Sequence, residues 1–132
     1  MLLDSFYTII EKGETDDVNF SADKPVRNFT FTLELNPVHP VYQGHFPGNP
    51  VVPGVCQVQM VKELTSVVLN RDIVILKSDN IKFLSAIIPT VTPIVKVSID
   101  IRENESGFWN VNSIISSEDR VFMKFKGIMR PA

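Results

Sequence analysis

The strongest regularity along the chain is alternation of apolar and polar side chains. In residues 28–35, Phe29, Phe31, Leu33 and Leu35 alternate with Thr30, Thr32 and Glu34. A period of two predicts a strand with one buried face. The same period returns in residues 95–101, where Val95, Val97, Ile99 and Ile101 alternate with Lys96, Ser98 and Asp100. It returns once more in residues 121–128, with Val121, Met123 and Phe125 set against Phe122, Lys124 and Lys126. Residues 108–115 follow a turn at Ser106-Gly107 and read as a further strand. Residues 72–76 and 81–88 are shorter apolar runs, the second ended by Pro89. Residues 13–24 are polar and acidic, and read as a surface loop or a ragged strand.

Only residues 54–70 carry helical spacing. Val58, Val61, Leu64, Val67 and Val68 fall three and four apart, and Met60 and Leu69 widen the stripe. Pro53 suits the start of a helix. Gln59, Lys62, Glu63, Ser66 and Asn70 form the polar stripe, narrow enough that the helix is expected to be mostly buried. One buried helix and about five or six antiparallel strands make an α+β domain over residues 1–132, in which the sheet covers its apolar face with the single helix.

Between the first clear strand and the helix, residues 36–53 hold Pro37, Pro40, Gly44, Pro47, Gly48, Pro50 and Pro53. That density excludes the interior of a helix or a strand. A long loop in a small domain is more often functional than not.

Composition narrows the field. The chain has 132 residues, 44% of them hydrophobic, enough for a core without disulfides or metals. Its net charge is −2 with both signs interspersed, which argues against a nucleic-acid binder. Cys56 is the one cysteine, so no internal disulfide forms, and a reducing compartment fits. The opening MLLDSFYTII lacks the basic start of a signal peptide, and no apolar run approaches the ~20 residues of a membrane span. A soluble cytoplasmic protein is expected.

The loop reads Gly44-His45-Phe46-Pro47-Gly48-Asn49-Pro50-Val51-Val52-Pro53-Gly54-Val55, preceded by Asn36-Pro37-Val38-His39-Pro40. It resembles the β-hydroxyacyl-carrier-protein dehydratases, whose signature is Gly-His-Phe-Pro-Gly followed by Pro-Val-x-Pro-Gly-Val at the start of a central helix. With Asn-x-x-His-Pro upstream, it looks closest to the dehydratase-like branch of aryl-polyene and related pigment pathways. The resemblance is dense over about twenty residues and only architectural elsewhere. It implies a hot-dog fold, as the pattern of elements does independently.

The resemblance also implies roles. His45 matches the catalytic histidine, and an imidazole titrating near neutrality suits removal of the proton beside a thioester carbonyl. Gly54 matches the glycine whose backbone N–H holds that carbonyl at the helix start, where unpaired donors and the dipole favour negative charge. Phe46, Pro53, Val55 and Glu63 are the expected substrate contacts. No cofactor is implied, because the thioester itself acidifies the proton. The implied partners are an acyl-carrier-protein-linked acyl thioester and a second copy of the chain, as a homodimer or a dimer of dimers.

One position departs from the pattern. The family carries Glu or Asp fourteen residues after the histidine, and here that residue is Gln59; one turn later, where Gln is common, stands Glu63. Glutamine can orient a hydroxyl but cannot give up a proton. Three outcomes stay open. His45 acts alone in a syn elimination with Gln59 positioning the hydroxyl, Glu63 reaches the site, or dehydration is lost. The corresponding functions are a 3-hydroxyacyl-carrier-protein dehydratase, an acyl thioesterase on the same fold, and a non-catalytic carrier-binding accessory subunit.

Plainer readings stand beside these. His39 reads as a structural hydrogen bonder. His39 and His45 lack a carboxylate or thiolate companion in the loop, so a metal site is not expected. Cys56 reads as a small buried apolar residue rather than a helix-end thiolate. Gln59 could satisfy a backbone group in the core, and Glu63 could be half of an ion pair with a lysine. Lys124 and Lys126 share a strand face, solvated or met by an acidic carrier protein. Phe29, Phe31, Phe83, Trp109 and Phe125 read as core, some of them lining an acyl tunnel.

Overall fold

The computed structural model describes residues 1–16, 25–44 and 48–132. The alternating segments pair into one sheet of β1 (Tyr7–Asp16), β2 (Arg27–Leu35), β3 (Ile73–Phe83), β4 (Ile94–Glu103), β5 (Trp109–Ser117) and β6 (Arg120–Pro131). Every neighbouring pair is antiparallel, in the order β1-β2-β4-β5-β6-β3. Helix α1 (Gly54–Leu69) and a short 3-10 turn (Pro40–Gln43) lie between β2 and β3 in the chain. One long helix against a six-stranded antiparallel sheet is the hot-dog arrangement expected from the pattern. Among the described residues no helix is long and apolar enough to cross a membrane.

Register explains the core. Phe31 stands opposite Val97, which in turn faces Ile115, while Leu33 faces Val95 and Phe29 faces Ile99. Each of these is buried to 2% exposure or less, and Met60, Val61 and Leu64 of α1 are fully buried. Burying side chains of this size stabilises by about 1.5–3 kcal/mol each. The helix begins where the Pro53 carbonyl accepts the N–H groups of Cys56 (3.0 Å) and Gln57 (3.1 Å). It ends at Asn70, whose left-handed backbone (φ 53°) turns its N–H back onto the Ser66 and Val67 carbonyls.

Three expectations are settled or changed. First, of the stretch read as a surface loop or a ragged strand, residues 13–16 belong to a strand, β1, and residues 17–24 lie outside the described part. β1 is an edge strand with one neighbour, so few of its side chains need be apolar. Second, the runs at 72–76 and 81–88 are not two strands. β3 is continuous through Lys77, Ser78, Asp79 and Asn80 and ends at Phe83. It is the other edge of the sheet, and its register shifts between Ile75 and Lys77 and again between Ser78 and Asn80, which breaks the apolar period. Third, the polar stripe of α1 divides, with Glu63 buried, Gln59, Lys62 and Ser66 part-buried and Asn70 exposed. Gln57, Glu63 and Thr65 are buried, whereas Val55 is 77% and Val67 37% exposed.

Gly127 of β6 sits beside the irregular stretch of β3, and a Cβ there would lie 2.5 Å from the Lys77 carbonyl oxygen. Backbone cannot swing aside as a side chain can. Gly127→Ala should therefore lower the unfolding free energy by about 1–3 kcal/mol in urea titrations. An unchanged midpoint would show that β3 shifts without cost.

Candidate active site

Gly54 opens α1, and neither its N–H nor that of Val55 meets an acceptor among the described residues. A Cβ on Gly54 would fall 2.8 Å from Cζ of Phe83. The end of β3 thus lays an aromatic ring against two free donors at the positive end of a helix. Phe83 is not the core residue expected: it is 53% exposed, whereas Phe29, Phe31 and Phe125 are buried. Pro53 precedes the two donors and caps the helix.

His45 and Phe46 lie outside the described residues, but both flanks of their loop are tied down. On the upstream side, His39 Nδ1 accepts the Val41 N–H (3.1 Å) and its ring meets Phe6 edge-on at 5.2 Å, so the structural reading of His39 holds. Tyr42 is buried against Phe6 with ring centroids 5.6 Å apart. On the downstream side, the Val52 N–H donates to the Ile87 carbonyl at 2.9 Å.

The second cluster lies further along α1. Glu63 is only 6% exposed. Its Oε1 accepts the Leu3 N–H (2.8 Å) and the Tyr7 hydroxyl (3.1 Å). Its Oε2 accepts the Gln59 side-chain amide at 2.7 Å, and the Leu2 N–H bridges both oxygens at 2.8 and 3.1 Å. A carboxylate leaves water without great cost only when donors replace it, and four donor groups do so here. The expected ion pair with a lysine is not made, because none of these donors is a lysine and the side chain is not at the surface. Burial, reinforced by the Glu63 charge and hydrogen bond, pushes the Tyr7 phenol well above its usual value, which keeps it a donor. The Cys56 thiol is pushed upward by burial and then by Glu63, in keeping with a small buried residue rather than a reactive thiolate.

Gln59 is not the glutamine that serves the core backbone. Gln57 does so, donating to the Val52 carbonyl at 3.3 Å. Gln59 is part-buried and lines a groove with Lys62, Glu63, Ser66 and Asn70. Five residues separate Gly54 from Gln59, which is about 7.5 Å along the axis and about 140° around it. Gly54 and Gln59 therefore lie on different sides of the helix. Lys124 and Lys126 are exposed on the outer sheet face, and Lys82 of β3 stands opposite Lys124.

Sequence reasoning missed Tyr7, Gln57 and the Leu2 and Leu3 amides. Backbone N–H groups carry no side-chain identity, and Tyr7 lies 56 residues from Glu63, so nothing local announces the contact.

A family model described as ApeI-like, ApeI dehydratase, matches residues 21–126. The chain is 24% identical over 110 residues to the 3-hydroxyacyl-[acyl-carrier-protein] dehydratase FabZ of Rickettsia massiliae, covering 77% of this chain and 74% of that one. It is 23% identical over 128 residues to FabZ of Rickettsia felis, covering 91% and 82%. A crystal structure of an uncharacterized protein from Erwinia carotovora subsp. atroseptica superposes with a TM-score of 0.71 at 20% identity, over 95% of this chain and 96% of that one. The dehydratase heterocomplex ApeI:P from Xenorhabdus doucetiae gives 0.59 at 19% identity, over 92% and 96%. At these identities the solved structures show the fold.

Tyr7 and Tyr42 are the chain's two tyrosines, and burial raises both phenols. Below about pH 10 folded and unfolded chains both keep these protons; above it only the unfolded chain releases them. Stability should thus be insensitive to the tyrosines below that pH and fall above it by up to about 1.4 kcal/mol per pH unit for each. In urea unfolding at alkaline pH, Tyr7→Phe should lose stability less steeply than wild type by that amount. Parallel slopes would show that Tyr7 does not hold its proton.

Proposed function

Because the chain belongs to the ApeI-like dehydratase family, we propose that it removes water from a 3-hydroxyacyl thioester carried on acyl-carrier protein. The product is the trans-2-enoyl thioester, in fatty-acid or polyene-type biosynthesis. The observation that carries this reading is the start of α1, with N–H groups that meet no acceptor among the described residues, no side chain at Gly54 and an aromatic ring alongside. It follows the His45 loop directly in the sequence.

In this reading the Gly54 N–H donates to the thioester carbonyl and takes up the charge that develops there. His45 removes the proton next to the carbonyl. The electron pair becomes the new carbon–carbon double bond as the carbon–oxygen bond breaks, and the departing hydroxyl collects the proton from His45 and leaves as water. Gln59 orients that hydroxyl. Phe46, Pro53 and Val55 flank the acyl chain at the mouth of an apolar tunnel, and Glu63 stands behind Gln59. The reaction as written draws on no cofactor.

The angular separation of Gly54 and Gln59 supports a site shared between two copies, each giving its helix start to the other's Gln59. A homodimer, or a dimer of dimers, supplies that arrangement. The β3 edge offers the surface, with Leu76, Phe83 and Leu84 each more than half exposed. Lys82, Lys124 and Lys126 suit an acidic carrier protein. A second reading, an accessory subunit that binds the carrier without turnover, draws on Gln59, which holds no acidic proton.

The test is intact mass of 3-hydroxyacyl-carrier-protein substrates of several chain lengths, with hydration of the enoyl thioester run in reverse. Wild type should lose water, and His45→Ala should slow it by about 10²–10⁴-fold. Release of free acid would instead indicate a thioesterase. No change in either direction would leave the accessory reading in its place.

A further inference from the structure

We infer that Glu63 is a positioning residue that decides which end of the Gln59 amide meets the substrate hydroxyl. This rests on the dehydratase reading for the substrate, and on the hydrogen bonds alone for the geometry. The backbone amides of Leu2 and Leu3 can only donate, so the Glu63 group facing them is an acceptor. Gln59 approaches the same carboxylate at 2.7 Å, and its NH₂ is the only part of the amide that can donate. The amide is planar, so tying Nε2 to Glu63 turns Oε1 away from it. Oε1 accepts nothing among the described residues, on a side chain that lines the groove.

Gln59 is therefore presented as an acceptor. It takes the O–H of the 3-hydroxyl and leaves the oxygen lone pairs free for the proton that His45 returns. A reversed amide would offer NH₂ to those same lone pairs and compete with His45. Reversal would also forfeit a charge-assisted bond, one of the stronger kinds a side chain makes. The carboxylate is itself held from the far side by Leu2, Leu3 and Tyr7, so it cannot follow a wandering amide.

The exchange of carboxylate and amide along the helix then has a chemical consequence. Placing a carboxylate at position 59 alone would set two carboxylates within hydrogen-bonding distance, and one proton would be shared between them. Such a proton is held between the two residues rather than aimed at the substrate. Exchanging both residues restores an amide donor behind an acidic group.

The experiment uses Glu63→Gln, Gln59→Glu and the double exchange, with unfolding midpoints measured to show that each folds. Glu63→Gln lets the two amides meet either way round; it should lower kcat about tenfold with little change in KM, the pattern of an interaction realised in the transition state. Gln59→Glu should add a second ionisation to the pH profile of kcat/KM, and the double exchange should recover activity lost in Glu63→Gln. A structural role alone would move the midpoints and leave the kcat split and the pH profile untouched. Separately, ¹⁵N-glutamine labelling, with Gln59 assigned by its loss in Gln59→Asn, should show an amide proton protected from exchange in wild type and released in Glu63→Gln. An amide that exchanges freely in wild type overturns the inference, whether or not the protein turns over. Absence of turnover with a protected amide overturns the dehydratase reading and leaves the geometry standing.

Discussion

A carboxylate at 6% exposure must be met by donors, and the way Glu63 meets that demand organises the region around it. It draws the backbone of Leu2 and Leu3 and the hydroxyl of Tyr7 onto the helix, so the start of the chain runs across α1 before entering β1. That path places Phe6 in ring contact with both His39 and Tyr42, upstream of His45 in the sequence. The Phe6 carbonyl accepts the Asn36 N–H at 2.9 Å, and Asn36 in turn donates its side-chain amide to the Ser5 carbonyl. One buried charge thus touches Gln59 directly and reaches the loop that carries His45 through packed side chains. Buried carboxylates are costly unless fully satisfied, and here the satisfying groups are the ones that shape the site.

Around this cluster the helix does two jobs with two faces. Met60, Val61 and Leu64 close the core against the sheet. At the start of the helix the Gly54 and Val55 amides meet no acceptor among the described residues, and a side chain in place of the glycine would strike Phe83. Most helix starts are capped by a side chain. This one is preceded by proline, which caps with its carbonyl only and offers the first donors no side-chain acceptor.

Much of this was legible in the sequence. β2 and β4 were plain because each buries one face, so their period of two survives, whereas β6 keeps it from Met123 to Gly127 and breaks it at Phe122, which is buried beside Met123 rather than on the polar face. The helix was plain because no other segment repeats at three and four. The two edge strands were not: β1 lacks a second neighbour, and β3 passes through four polar residues with its register shifted just before them and again within them. The site divides in the same way. His45, Gly54 and the departure at Gln59 stood out through the resemblance of one loop and one helix to a known family. The burial of Glu63 did not, since the groups that satisfy it come largely from backbone some 60 residues distant. The helical wheel put Glu63 on a polar stripe, and the fold buried Glu63 within it because the first residues of β1 and those before it supplied the donors.

The most direct test is a crystal structure with a non-hydrolysable 3-hydroxyacyl-pantetheine amide. The predicted result has the ligand carbonyl on the Gly54 N–H, the histidine at position 45 beside the adjacent carbon, and the 3-hydroxyl on Gln59 Oε1 of a second copy, with Nε2 still bound to Glu63. A ligand lying away from the start of α1, or one whose hydroxyl meets neither His45 nor Gln59, would contradict the account.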